Sequence, residues 1–274
     1  MEPILEVDRL SVHFSQKEGR KIDALDGVSF CLYPGEILGI VGESGSGKST
    51  MARALLQFER AAEGSIRLHG EEIIGRRGRA LREIYGRMQM VFQSHAGSFD
   101  PRRTLGESVG ESLRNQGLPG READARARGL LAQCGLSADL ANRYPGEVSG
   151  GQCQRAAIAR ALAPDPEILI CDEATSALDA AVQRQIVDLI RSLRDERGLS
   201  CLFICHNLAL VHSFCDRVLV MEAGRIAEEG TPDAVLFSPR SKAAKALAEA
   251  ALWGMGSSKI SKKAQNSSRQ TELL

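Results

Sequence analysis

Aromatic residues make up only 4% of this 274-residue chain, and 35 basic side chains are matched by 35 acidic ones, a formal net charge of +0. Both facts speak against a nucleic-acid carrier, which needs a basic excess for phosphates and ring faces for bases. No apolar run approaches the ~18 residues of a membrane-spanning helix. The opening Met1-Glu2-Pro3-Ile4-Leu5-Glu6 is acidic and lacks the apolar segment of a secretory signal. The five histidines are dispersed and form no cluster with metal-ligand spacing. The seven cysteines are an odd number scattered through apolar stretches, which suits a reducing compartment. Cys201 and Cys205 on one extended strand would lie roughly 13 Å apart, beyond the ~7 Å Cα separation a disulfide tolerates. They read as core residues. These absences leave a soluble chain, expected in the cytoplasm, that is long enough for one large domain or one domain with a smaller insert.

What is present is organised around Gly42-Glu43-Ser44-Gly45-Ser46-Gly47-Lys48-Ser49-Thr50. The stretch matches G-x-x-x-x-G-K-[ST], the loop that cradles nucleotide phosphates. Ile37 to Val41 reads as a buried strand running into it, and Met51 to Leu56 as a helix leaving it. Three glycines allow backbone angles closed to other residues, so that successive N–H groups point at phosphate oxygens. The following helix adds the positive end of its dipole. Lys48 is the candidate bridge between β- and γ-phosphates, and the Ser49 hydroxyl a candidate Mg²⁺ ligand. A plain glycine-rich turn would not require strand, spacing, Lys-Ser pair and helix together. The chain is therefore expected to bind a nucleoside triphosphate.

Before the loop, residues 4–14 alternate as a half-exposed antiparallel strand does, Ser15 to Arg20 reads as a loop, and Val28 to Leu32 resumes the strand. Pro34-Gly35 marks a turn. Phe14 fits either an adenine-stacking ring or ordinary core. After it, Gly64 to Gly70 and Met88 to Phe92 read as short strands separated by a basic, solvated segment, Arg76 to Arg87. Gln93, directly after the second strand, is either a polar terminus or a group reaching the metal at Ser49. From about Ser94 to Asp165 apolar residues recur at helical spacing between glycine and proline breaks, which reads as a helical insert in an α/β core. The core resumes at Glu167 to Cys171 and continues through an amphipathic helix, Ala180 to Arg197, whose stripe is Val182, Ile186, Leu189, Ile190 and Leu193. Ser200 to Cys205 is a buried strand, Arg217 to Met221 and Gly224 to Glu228 form a hairpin, and Ser241 to Leu252 is a last helix. Residues 254–274, rich in Ser, Lys and Gln, are expected to be disordered.

Two further stretches carry chemistry. Asp172-Glu173 ends an apolar strand, and on a strand the two carboxylates would point to opposite sides. One could hold Mg²⁺ while Glu173 positions and polarises the attacking water; the plainer alternative is an acidic cap on a strand. Ser149-Gly150-Gly151-Gln152 opens a helix with free N–H groups, a plain helix cap or an anion-binding start. A chain with one such start for its own phosphates has reason for a second only if it meets a nucleotide held by another chain.

In this order the motifs resemble the ATP-binding-cassette (ABC) ATPases over residues 4–240. Gly42 to Thr50 fits the Walker A motif, Ile168 to Glu173 the Walker B, and Ser149 to Gln152 the family signature. Gln93 fits the Q-loop, His206 the switch histidine and Ser176 to Asp179 the D-loop, and Phe14 sits where the family places its adenine-stacking aromatic. The resemblance implies an α/β fold: a P-loop NTPase (RecA-like) core with an antiparallel β-subdomain and an inserted α-helical subdomain. It divides the chain into a core (1–93 and 164–240), a helical insert (94–163), a C-terminal helix (241–253) and a tail. It further implies a head-to-tail dimer with two ATP molecules and Mg²⁺, each nucleotide lying between one chain's Walker A and the other's Ser149, Gly150, Gly151, Gln152 and Asp179. Glu173 would be the catalytic base, His206 would contact the γ-phosphate, and Gln93, with Ser49 and Asp172, would attend the metal and couple the site to a transmembrane partner. Departures from the family pattern are Val148 for Leu, Asn207 for Asp and Cys205 for Thr or Ser; Asn207 bears on a contact across the dimer.

Ser98-Phe99-Asp100-Pro101-Arg102-Arg103-Thr104 resembles the pattern of dipeptide, oligopeptide and nickel importer ATPases, with Phe99 and Asp100 in place of Leu and Asn. That resemblance implies an ATPase powering import of peptides, nickel or a metal-chelate or opine-like solute. Its expected partners are a second ATPase subunit (the same chain or a different one), two permease subunits and, indirectly, a solute-binding protein, at the cytoplasmic face of the membrane. Cys215 is the last cysteine, so the cysteine cluster of longer members is absent, which brings the chain nearer the shorter second ATPase of nickel-type importers. An efflux ATPase, a non-transport ABC protein acting on DNA or the ribosome, and a P-loop kinase are the competing readings.

Overall fold

The computed structural model describes residues 1–15, 21–92, 96–176 and 178–255. In chain order its elements are β1 (Leu5–Ser15), β2 (Lys21–Leu32), β3 (Ile37–Gly42), α1 (Lys48–Leu55), β4 (Glu63–Leu68), β5 (Glu71–Glu72), α2 (Gly78–Arg87) and β6 (Met88–Val91). There follow α3 (Leu105–Asn115), α4 (Gly120–Gln133), α5 (Gly150–Leu162), β7 (Ile168–Asp172), α6 (Ala180–Arg197), β8 (Ser200–Ile204) and α7 (Leu208–His212). The described chain closes with β9 (Arg217–Glu222), β10 (Arg225–Gly230), α8 (Pro232–Phe237) and α9 (Lys242–Met255).

The strands form two sheets. Strands β2-β1-β4-β5 make an antiparallel sheet, and β10-β9-β3-β8-β7-β6 make a six-stranded sheet that is parallel except for its edge strand β10. The parallel strands are buried on both faces, and successive residues therefore serve opposite cores. On β3, Ile37 and Val41 face one core while Leu38 and Ile40 face the other. On β8, Cys201 and Phe203 face the first, Leu202 and Ile204 the second, and Cys205 just after the strand joins the first. The first core is covered by α3 to α9, the second by α1, α2 and the antiparallel sheet. Phe203 is fully buried and meets Phe214 edge-on at 4.8 Å; truncating such a residue costs about 3–5 kcal/mol.

Close packing dictates several residue choices. A Cβ on Gly39 of β3 would lie 2.4 Å from Val211 Cγ1, so α7 can settle onto the central strand only over a glycine. The β9–β10 hairpin turns on Ala223 and Gly224, both with positive φ (47° and 78°). That conformation matches the right-handed twist of the strands it joins. Helix α3 starts with a full capping box: Thr104 N donates to Glu107 Oε2 at 2.7 Å, and Glu107 N to Thr104 Oγ1 at 3.2 Å.

The α/β fold with an antiparallel sheet and a run of helices between β6 and β7 agrees with the sequence reading. Three details differ. Strand β2 begins at Lys21, earlier than Val28: Lys21 to Asp23 are exposed, and Asp26 and Gly27 interrupt the apolar pattern between the buried Leu25 and Val28. Helices α7 and α8 were not anticipated, although Asn207 caps the first, and Thr231 caps the second with Pro232 in its first position. The C-terminal helix continues past Leu252 to Met255. Of the expected loop Ser15 to Arg20, Ser15 ends β1 and pairs with Lys21, while 16–20 lie outside the described residues, as do Gln93, Ala177 of the Ser176–Asp179 stretch and tail residues 256–274.

Candidate active site

The parallel strands deliver the candidate residues to one edge. Ile204, the last residue of β8, pairs with Ile40 of β3 on one side and with Asp172 of β7 on the other. The loop after β3, the end of β7 and the segment 205–207 after β8 therefore emerge together at the carboxyl ends of the strands, where ligands of open α/β sheets bind.

The phosphate loop is fixed from three directions. Gly45 and Gly47 adopt positive φ (81° and 103°). Gly42 does not; its glycine is required by space, because a Cβ there would lie 2.4 Å from Met221 O and 2.6 Å from Ser46 Oγ. The backbone-angle reason thus holds for two of the three glycines, and close approach of β9 explains the third. Gly224 N donates to Ser46 O at 3.0 Å while Asp26 N donates to Gly224 O at 2.9 Å, so the hairpin turn ties the loop to β2. A Cβ on Gly47 would lie 2.6 Å from Ala24 O of the same strand. Sequence reading had no access to this support, since Asp26, Ser46 and Gly224 meet only through the sheet order. Glu43 and Ser44 are exposed at the crown of the loop, Ser46 is buried, and Ser49 and Thr50 are half-buried in α1.

Lys48 is buried, and its Nζ donates to Gly42 O at 2.8 Å, Glu43 O at 2.7 Å and Ser46 Oγ at 3.2 Å. Burial pulls its pKa below the ordinary lysine value, and the charges of Glu173 and Asp172 pull it back up. The ammonium is thus curled onto the rim of its own loop, beside two carboxylates. Ser49 Oγ donates to Asp172 Oδ1 at 2.9 Å. Burial raises the Asp172 pKa, opposed by the Ser49 hydrogen bond, while the charge of Glu173 raises it further. A hydroxyl and a carboxylate held together are hard oxygen donors, the set Mg²⁺ selects.

Glu173 departs from the sequence expectation. Strand β7 ends at Asp172, and Glu173 turns out of it with φ 48°, its N–H donating to Ile204 O at 2.9 Å. Strand alternation therefore does not set its direction; a left-handed backbone does. This is a conformation that costs a non-glycine residue about 1–3 kcal/mol and is found at functional sites. Its carbonyl accepts from Ser176 N at 3.1 Å and Ser176 Oγ at 3.0 Å, which folds the following loop back over it.

His206 and Asn207 are exposed beyond β8. Asn207 Oδ1 accepts from Leu210 N at 3.1 Å and caps α7, so the departure from Asp keeps the cap. Cys205 was missed as a site neighbour. Its buried thiol donates to Asn207 O at 3.4 Å, and burial pushes its pKa up to about 12, which keeps it protonated near Lys48. Phe14 lies on β1 opposite Ile22 and is 38% exposed, which removes the core alternative. Phe99 is buried with the Arg160 guanidinium 4.5 Å above its ring, and Asp100 Oδ1 accepts from Arg102 N at 3.0 Å.

The second helix start is not brought to this loop. Ser149 caps α5 through a capping box, with Gln152 N donating to Ser149 Oγ at 3.3 Å and Ser149 N to Gln152 Oε1 at 2.9 Å. Helix α5 packs into the first core and α1 into the second, on opposite faces of the sheet. Ser149 and Gly150 are exposed, Gly151 is buried. Asp179 caps α6, accepting from Ala181 N and Val182 N at 3.0 Å each.

The sequence profile described as ABC transporter matches residues 25–176. The oligopeptide transport ATP-binding protein OppF of Salmonella typhimurium is 44% identical over 257 residues, covering 90% of this chain and 77% of the relative. The glutathione import ATP-binding protein GsiA of Shigella dysenteriae serotype 1 is 44% identical over 246 residues; the match takes in 87% of this chain and 40% of that protein. Among solved structures, the dimeric bacterial ABC transporter cassette MJ0796 aligns at TM-score 0.77 and 29% identity, over 83% of this chain and 98% of the cassette. The same cassette in a post-hydrolysis dimer bound to ADP and Pi aligns equally well. The protein cbiO1 from Clostridium perfringens, part of a transporter complex, aligns at TM-score 0.77 and 27% identity, covering 87% of this chain and 92% of its own.

Proposed function

Since this chain belongs to the ABC transporter family, we propose that it is the ATP-hydrolysing subunit of an importer of peptides, working as a dimer at the inner face of the membrane. ATP hydrolysis coupled to transport is the activity of the family. The finer assignment is carried by one observation: identity to an oligopeptide transport ATP-binding protein runs over 90% of this chain and 77% of that relative. Similarity to a glutathione importer, whose cargo is itself a tripeptide, points the same way. Phe99 and Asp100 keep a buried apolar group and a backbone-capping oxygen in the stretch that suggests this subfamily.

In this reading the backbone N–H groups of 42–50 bind the phosphates, and Lys48 exchanges its bonds to the loop carbonyls for phosphate oxygens. Phe14 offers its exposed ring to the adenine. Ser49 and Asp172, with Gln93, would hold Mg²⁺, which neutralises charge on the β- and γ-phosphates when bound. Glu173 orients the attacking water and takes its proton, and His206 faces the γ-phosphate. Ser149, Gly150, Gly151, Gln152 and Asp179 serve the partner's nucleotide; their position on the opposite face of the sheet from α1 supports that division. Two permease subunits and a solute-binding protein complete the proposed assembly.

The test is uptake. Cells lacking this chain should lose import of a labelled oligopeptide, regain it with the wild-type chain and not with Glu173→Gln. Undiminished peptide import together with lost nickel or opine import would overturn the cargo while keeping the ATPase.

A further inference from the structure

Gly151 is the second residue of α5, buried and helical. Glycine weakens a helix relative to alanine, so its presence calls for a local cause. A Cβ at this position would lie 2.6 Å from Val182 Cγ1 and 3.5 Å from Val182 Cγ2. Val182 is the third residue of α6, and its N–H is one of the two that Asp179 caps. A helical valine holds one χ1 rotamer about 90% of the time, so these methyls do not swing aside. The Asp179 loop is itself pinned to α6: Gln183 Nε2 donates to Thr175 O at 2.9 Å and to Leu178 O at 3.2 Å. The helix starts capped by Ser149 and Asp179 therefore meet methyl to backbone, at a distance only glycine permits.

We propose that Val182 is a positioning residue for ATP hydrolysis: its contact with Gly151 sets the spacing between the Ser149 helix start and the Asp179 loop. The two are thereby presented as one unit to the nucleotide on the partner subunit. This rests on the trans-site reading above. It gives Gly151 a cause inside its own chain, where the alternative cause is the close approach of the partner's phosphate.

The two causes separate in a double variant, measured on the full-length chain assembled with its partner subunits. Gly151→Ala lowers ATP turnover about 100-fold and leaves nucleotide affinity of the dissociated chain unchanged. Adding Val182→Ala restores turnover to the level of Val182→Ala alone; adding Val182→Thr, which keeps both γ branches, does not. A double variant Gly151→Ala/Val182→Ala as slow as Gly151→Ala overturns the proposal and leaves the trans-site reading standing. Turnover indifferent to Gly151→Ala overturns that reading as well. Should Gly151→Ala fail to fold, Val182→Ala carries the test: ATP-dependent dimer closure weakens about tenfold, and unchanged closure sinks the idea.

Discussion

Ser49 Oγ donates a 2.9 Å hydrogen bond to Asp172 Oδ1, joining the start of α1 to the end of β7 across 123 positions of sequence. The pair places a carboxylate where burial disfavours its charge. An acid whose folded pKa is raised binds more protons folded than unfolded between its ordinary and its raised value. Stability therefore falls as pH rises through that window.

Asp172→Asn removes this cost and can still accept from Ser49. In metal-free, nucleotide-free protein its Tm is expected to exceed that of wild type at neutral pH. The difference should shrink as pH falls through the raised Asp172 pKa. ATP hydrolysis should be lost in the same variant. A Tm below wild type at every pH would contradict the assignment of burial as the dominant cause.

Gly42 and Gly45 separate space from backbone angle. Gly45→Ala meets open space and pays only for φ 81°, about 1–2 kcal/mol. Gly42→Ala drives a methyl against Met221 O at 2.4 Å, a backbone atom of the neighbouring strand. Its cost should exceed ~3 kcal/mol and ATP affinity should collapse with it. Urea denaturation and nucleotide titration of both variants check the order.

Gly224→Val tests the support of the phosphate loop from outside the motif. Its φ of 78° and a Cβ 2.9 Å from Ala24 O would displace the turn and release Ser46 O. ATP affinity is expected to drop about tenfold, the equivalent of one hydrogen-bonded anchor at ~1.4 kcal/mol. Unchanged affinity in a folded variant would show that the loop holds its shape unaided.

Glu173→Gln keeps the shape of the side chain and removes its basicity. Turnover is expected to fall by about 10²–10⁴ while ATP binding persists, so that ATP-bound dimers accumulate on a sizing column. Normal turnover would remove Glu173 from the role of base.

Much of this was legible because it is local. The phosphate loop follows from glycine and lysine spacing. Ser149 announces a helix start, since a cap is a hydrogen bond three residues long. The stripe from Val182 to Leu193 reads directly as a buried helix face, and Ile186, Ile190 and Leu193 are buried as expected. Sequence alone therefore determined the nucleotide loop, the type of most elements and the family. Only the tertiary structure decided that Asp172 reaches Ser49, that Gly42 answers to Met221 and Gly151 to Val182, and that Gly224 props Ser46. Each depends on which distant strand or helix lies alongside, and the order β9-β3-β8-β7 brings together chain segments that share no local signal. Glu173 fell between the two regimes: its identity was plain, but its left-handed backbone is imposed by the strand ending one residue earlier and its N–H turning to Ile204.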